Sequence, residues 1–111
     1  MISSVCVAAV RAAVEEFRRQ EGRRPRILIA EDESGIADTL QYVLSTDGFV
    51  PVWCSTAAEA LAQFAAEPPA LAVLDVGLPD MNGFELAELI RGSERTRHIP
   101  LIFMTAGSRE Q

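Results

Sequence analysis

The sequence predicts an α/β fold, a doubly wound parallel sheet covered by helices on both faces. From Arg26 onward, short apolar runs alternate with stretches of helical periodicity, the pattern of successive βαβ units. Four such runs and three intervening helices can be placed. Two of the runs end directly in acid, "ILIA" at Glu31 and "LAVL" at Asp75. In an open parallel sheet the carboxyl ends of the strands share one edge, outside which ligands bind.

"RILIA" (26–30) is the first strand. Ser34 is placed to cap a helix whose apolar positions Ile36, Leu40, Val43 and Leu44 fall on one side, and Asp47-Gly48 ends it. "FVPVWC" (49–54) is a second strand, predicted at an edge because Pro51 cannot donate to a central ladder. Thr56 caps "AAEALAQFAAE", with Ala57, Ala60, Leu61 and Phe64 as its buried stripe, and Pro68-Pro69 stops it. "ALAVLD" (70–75) is the third strand, "GFELAELIRG" (83–92) the third helix and "PLIFMTA" (100–106) the fourth strand. The loop Gly77–Gly83 reads as rigid. Pro79 fixes its neighbour, and Asn82-Gly83 favours a turn with positive φ.

Residues 1–25 stand outside this alternation, which divides the chain into 1–25 and 26–111. Val7, Val10, Val14 and Phe17 recur at helical spacing, with Arg11, Glu15, Arg18 and Arg19 elsewhere on the helix. That amphipathic helix is expected to pack on the sheet, entering the first strand through "EGRRPR", with dimerisation through its apolar face and disorder as the alternatives.

At 111 residues and 49% hydrophobic content, the chain fits one modest core. No apolar run approaches the ~18 residues of a membrane span. The first fourteen residues make a poor signal peptide, since no basic residue precedes the apolar part and Arg11 interrupts it. A cytoplasmic protein is expected. Cys6 and Cys54 lack metal-type spacing and read as reduced packing residues. Net charge is −6, but residues 1–26 carry six arginines against three acids (+3), and residues 27–111 four arginines against thirteen acids (−9). Such an acidic body argues against direct nucleic-acid binding.

If the first and third strands are neighbours, Glu31, Asp32 and Asp75 converge. Three carboxylates at the mouth of a dry sheet repel one another, and a hard cation removes that cost. Oxygen ligands without clustered histidines favour Mg²⁺, with Ca²⁺ or Mn²⁺ as alternatives. Mg²⁺ keeps coordination sites for phosphate oxygens, which points to phosphate chemistry. Thr105 closes the fourth strand on the same edge, where its hydroxyl could donate to a phosphoryl oxygen.

These residues bring out a resemblance. "ILIAEDES", "LAVLDVGLPDMNGFEL" and "IPLIFMTA" resemble, in order and spacing, the signature blocks of response-regulator receiver domains of two-component signalling, and in particular those of winged-helix transcription regulators. The resemblance implies a flavodoxin-like sheet of order 2-1-3-4. It implies that Asp75 is the phosphoacceptor and that Glu31 and Asp32 hold Mg²⁺, with Asp75 and the backbone carbonyl of Gly77 as further ligands. Thr105 becomes the switch hydroxyl, beside which Ala106 leaves space. It further implies a sensor histidine kinase as phosphoryl donor, an output domain or DNA-binding partner outside this chain, and a signalling module rather than an enzyme. His98, in the loop "TRHIP", is expected at the surface and is not the donor histidine.

The resemblance covers 26–111, through the fourth of the family's five strands, and the chain contains no lysine to match the family's phosphate-contacting one. With the fourth strand as an edge, a homo-oligomer is expected. The alternative is a receiver-like interaction module that is not phosphorylated. An aspartate-nucleophile phosphohydrolase is disfavoured, because its second acid would stand where Gly77 does.

Overall fold

The computed structural model describes residues 24–104 together with Ala12 and Glu15, which are helical and exposed. The predicted apolar face at Val7, Val10, Val14 and Phe17, and Cys6, Thr105 and Ala106, lie outside the described residues.

Over residues 24–104 seven elements follow in strict alternation: β1 (Arg26–Ala30), α1 (Ser34–Thr46), β2 (Val50–Cys54), α2 (Ala57–Ala66), β3 (Leu71–Asp75), α3 (Gly83–Arg91) and β4 (Leu101–Met104). All three strand pairings are parallel, in the order β2-β1-β3-β4. The two apolar runs that end in acid are therefore the two central strands. Pro51 lies on β2 at the edge, as a residue without an amide proton requires.

Side-chain alternation splits β1 and β3 between two cores. Leu28, Ala30, Ala72 and Leu74 pack under α2 and α3 with Ala60, Phe64, Leu86 and Ile90, all buried. Ile27, Ile29, Leu71 and Val73 face the other way, against Leu40 and Leu44 of α1 and Phe49. Helices thus cover both faces, and a slip of one residue in either central strand would exchange the two cores.

The helix starts differ in one respect from the local signals. Thr56 caps α2 as expected, its Oγ1 accepting from the Glu59 amide at 3.1 Å. Ser34, however, is the first helical residue rather than the cap. Glu33 occupies the cap position, its carbonyl accepting from the Ala37 amide at 3.0 Å, without a side-chain capping bond. The Glu33 amide is instead engaged by Glu31, at 2.8 Å from Oε2. Asn82 also departs from the expected positive-φ turn: at φ −65°, ψ 141° it caps α3. Its Oδ1 accepts from the Phe84 amide at 2.6 Å, and Glu85 returns a bond from the Asn82 amide at 3.2 Å. Gly48, after α1, has φ 91°, the left-handed conformation that favours glycine.

Candidate metal and phosphoryl site

β1 and β3 run in register from Ile27↔Leu71 to Ala30↔Leu74, so the next residues, Glu31 and Asp75, leave the central ladder side by side. Oxygens of Glu31, Asp32 and Asp75 all lie within 4.8 Å of one another. The acidic pair is not symmetric. Glu31 is fully buried (0% exposed) and Asp75 nearly so (1%), whereas Asp32 is exposed.

Burial pushes the Glu31 carboxyl up from 4.5 to about 7, against the lowering effect of the Glu33 amide bond and with the support of Asp75 and Asp32. Its Oε1 is buried without a hydrogen-bond partner. A buried carboxylate oxygen without a donor, beside two further acids, suits a divalent cation, and the all-oxygen donor set selects Mg²⁺, Ca²⁺ or Mn²⁺ over zinc.

The loop after β3 is tied down at several points. The Val76 amide donates to the Met104 carbonyl at 3.1 Å and the Gly83 amide to Val76 at 2.9 Å, while Gly77 bridges to Asn82. Gly77 donates its amide to Asp75 Oδ1 at 3.3 Å, which orients the carboxylate. Asp80 reaches across to α2, its two oxygens accepting from the Ala57 and Ala58 amides at 2.9 and 3.0 Å. The Ala57 bond is the main cause holding its carboxyl below the ordinary aspartate range. Gly83 is required sterically: a Cβ there would overlap the Asp75 carbonyl oxygen and lie 2.9 Å from Val76 Cα.

Of the residues expected at the site, the structure brings together Glu31, Asp32 and Asp75 and sets Gly77 against Asp75. Met104, the last residue of β4, pairs in register with Asp75, while Thr105 lies outside the described residues. His98 is exposed, as expected. Two contributors were not apparent in the sequence. One is Asp80; the other is Trp53, whose indole N–H donates to the Glu31 carbonyl at 2.7 Å. No helix among the described residues is long and apolar enough to cross a membrane.

Comparison with known proteins gives one consistent answer. A family model described as the response regulator receiver domain matches residues 27–111. The transcriptional regulatory protein CreB of Escherichia coli K12 is 38% identical over 88 residues, covering 79% of this chain and 38% of CreB. The phosphate regulon regulator PhoB of Klebsiella pneumoniae is 35% identical over 78% of this chain and 38% of its own length. The chain thus spans under two fifths of either regulator. Among solved structures, a sensor protein from Polaromonas sp. JS666 superposes with a TM-score of 0.72 at 40% identity, covering 78% of this chain and 70% of its own. The non-phosphorylated HemR receiver domain of Leptospira biflexa gives 0.68 at 41% identity, over 75% of this chain and 65% of its own.

Proposed function

The chain belongs to the response regulator receiver domain family of two-component signalling, and on that premise we propose that Asp75 is its phosphoacceptor, loaded from a phosphohistidine on a sensor histidine kinase. Glu31, Asp32, Asp75 and the backbone carbonyl of Gly77 would hold Mg²⁺. The observation that carries this reading is the convergence of three carboxylates at the ends of the two central strands, one of them with a buried, unpartnered oxygen.

In the proposed transfer, an Asp75 carboxylate oxygen forms a bond to phosphorus as the phosphorus–nitrogen bond of the donor breaks. The imidazole departs with that electron pair and takes up a proton, and an acyl phosphate remains. When bound, Mg²⁺ supplies charge neutralisation between the carboxylates and the phosphoryl oxygens. The chain's own part is positioning. Gly77 orients the Asp75 carboxylate, and the Asp80 and Gly83 contacts hold the loop that carries Gly77.

Thr105 would be the switch hydroxyl that answers the new phosphate. The module would act in the cytoplasm on an output domain or DNA-binding partner, since CreB and PhoB are transcriptional regulatory proteins. Residues 1–25 would form a helical segment distinct from the receiver at 26–111. A second copy of the chain would be a further partner, with the exposed Phe103 and Phe84 (ring centroids 4.7 Å apart) as its contact.

The test is incubation with Mg²⁺ and a small acyl-phosphate donor, read by intact mass. A base-labile gain of one phosphoryl group, absent from Asp75→Asn, is the expected result. No gain in the wild type would identify the chain instead as a receiver-like interaction module.

A further inference from the structure

The acidic pair is held from a direction that neither its own strand nor the β3 loop supplies. Glu31 and Asp32 are joined by one peptide unit, and the carbonyl of that unit is the Glu31 oxygen that accepts from the Trp53 indole at 2.7 Å. One bond earlier, the Glu31 amide donates to the Cys54 carbonyl at 3.0 Å, the last rung between β1 and β2. Beyond that rung there is no further backbone donor on β2 to receive the carbonyl, because β2 ends at Cys54. The indole continues the ladder by one side-chain bond. Trp53 pairs with Ile29 in register and keeps 39% of its surface exposed, so the ring spans from a buried backbone site to solvent.

The consequence is geometric. Rotation of the Glu31–Asp32 peptide would swing Asp32, the exposed member of the cluster, relative to Glu31, which the Glu33 amide already holds through Oε2 at 2.8 Å. We propose that Trp53 is a positioning residue for the metal-binding carboxylate pair, its indole N–H fixing the peptide that sets Glu31 and Asp32 at ligand distance. This inference rests on the Mg²⁺ reading above. It makes the outer edge of the sheet part of the metal site. A packing role alone would need the bulk of the ring; the positioning role needs its N–H.

The experiment therefore separates bulk from donor. Trp53→Phe removes the donor and part of the bulk, whereas benzothienylalanine at position 53 keeps the bicyclic shape and removes only the donor. Mg²⁺ affinity is read on the whole chain by NMR titration of the amides of residues 31–33, and stability by denaturation in EDTA. Partners that orient metal ligands typically contribute 10- to 100-fold in affinity, and a neutral bond to a carbonyl belongs at the low end. Both variants are expected to bind Mg²⁺ about tenfold more weakly while still unfolding cooperatively in EDTA. In the wild type the indole N–H resonance, unambiguous because Trp53 is the sole tryptophan, is expected to shift on titration. Affinities within twofold of wild type for both variants would overturn the proposal, as would weakening by Trp53→Phe alone, which would assign the effect to bulk. A wild-type chain that binds no Mg²⁺ would overturn both this inference and the reading it rests on.

Discussion

Glu31→Gln tests the electrostatics of the site directly. In the metal-free protein, Glu31 is fully buried and its carboxyl is raised from 4.5 to about 7, with burial as the main cause. A group whose folded-state value is raised contributes its stability below the unfolded value and loses it as pH rises through the folded one. Here the loss begins near 4.5 and is complete above about 7. At about 1.4 kcal/mol per pH unit, the interval from 4.5 to about 7 gives a ceiling of roughly 3 kcal/mol. Glutamine keeps an oxygen for the Glu33 amide and offers its own amide to the neighbouring carboxylates.

Stability from urea denaturation in EDTA should therefore favour Glu31→Gln by about 1–3 kcal/mol at pH 8 and converge with wild type near pH 4.5. Comparing the two proteins at each pH cancels the titration of carboxylates remote from Glu31. Saturating Mg²⁺ should close most of that gap, since a ligand at a hundred times its dissociation constant stabilises by about 2.7 kcal/mol and the variant lacks one carboxylate charge. A variant less stable than wild type in EDTA at pH 8, or a difference independent of pH, would refute the reasoning.

Gly83→Ala should destabilise by roughly 1–3 kcal/mol in denaturant melts, because its Cβ would run into the Asp75–Val76 backbone; helix propensity alone predicts the opposite sign. Asp80→Ala should lower the denaturation midpoint at neutral pH by removing the acceptor for the Ala57 and Ala58 amides. Since the Asp80 carboxyl is held low, that contribution is present above the ordinary aspartate value and lost as pH falls through the folded one, so the melts should converge in acid. Leu74→Ala, at a fully buried central-strand position, should cost about 2–5 kcal/mol by calorimetry.

The elements legible in the sequence were those whose signals are local. β1 spans Arg26–Ala30 as read, because an apolar run ending in acid has one way to lie in a buried sheet. The edge position of β2 followed from a single proline. Asn82 was misjudged although its signal was present: Asn-x-x-Glu from 82 to 85 is a capping-box pattern, and it outweighed the turn preference of Asn-Gly. The convergence of Glu31, Asp32 and Asp75 was legible because parallel strands share an edge, but the burial of Glu31 against the exposure of Asp32 was not. Adjacent acids look alike in sequence; which one turns inward depends on the neighbouring strands. Trp53 and Asp80 act through side-chain-to-backbone bonds across 22 or more positions, which no local periodicity encodes.

A sheet can tolerate this cluster because what locates the acids differs from what they cost. Glu31 and Asp75 are placed by the register of β1 on β3, and that register is fixed by Ile27, Leu28, Ile29, Leu71, Val73 and Leu74, all 0–1% exposed. Burying one such side chain contributes about 1.5–3 kcal/mol, so one or two of the six offset the ceiling on the Glu31 penalty. Shifting either strand by one residue would relieve the repulsion only by turning that strand's three side chains into the wrong core. The carboxylates are thus held together by apolar packing behind them, and Glu31 keeps a buried oxygen without a hydrogen-bond partner beside Asp32 and Asp75.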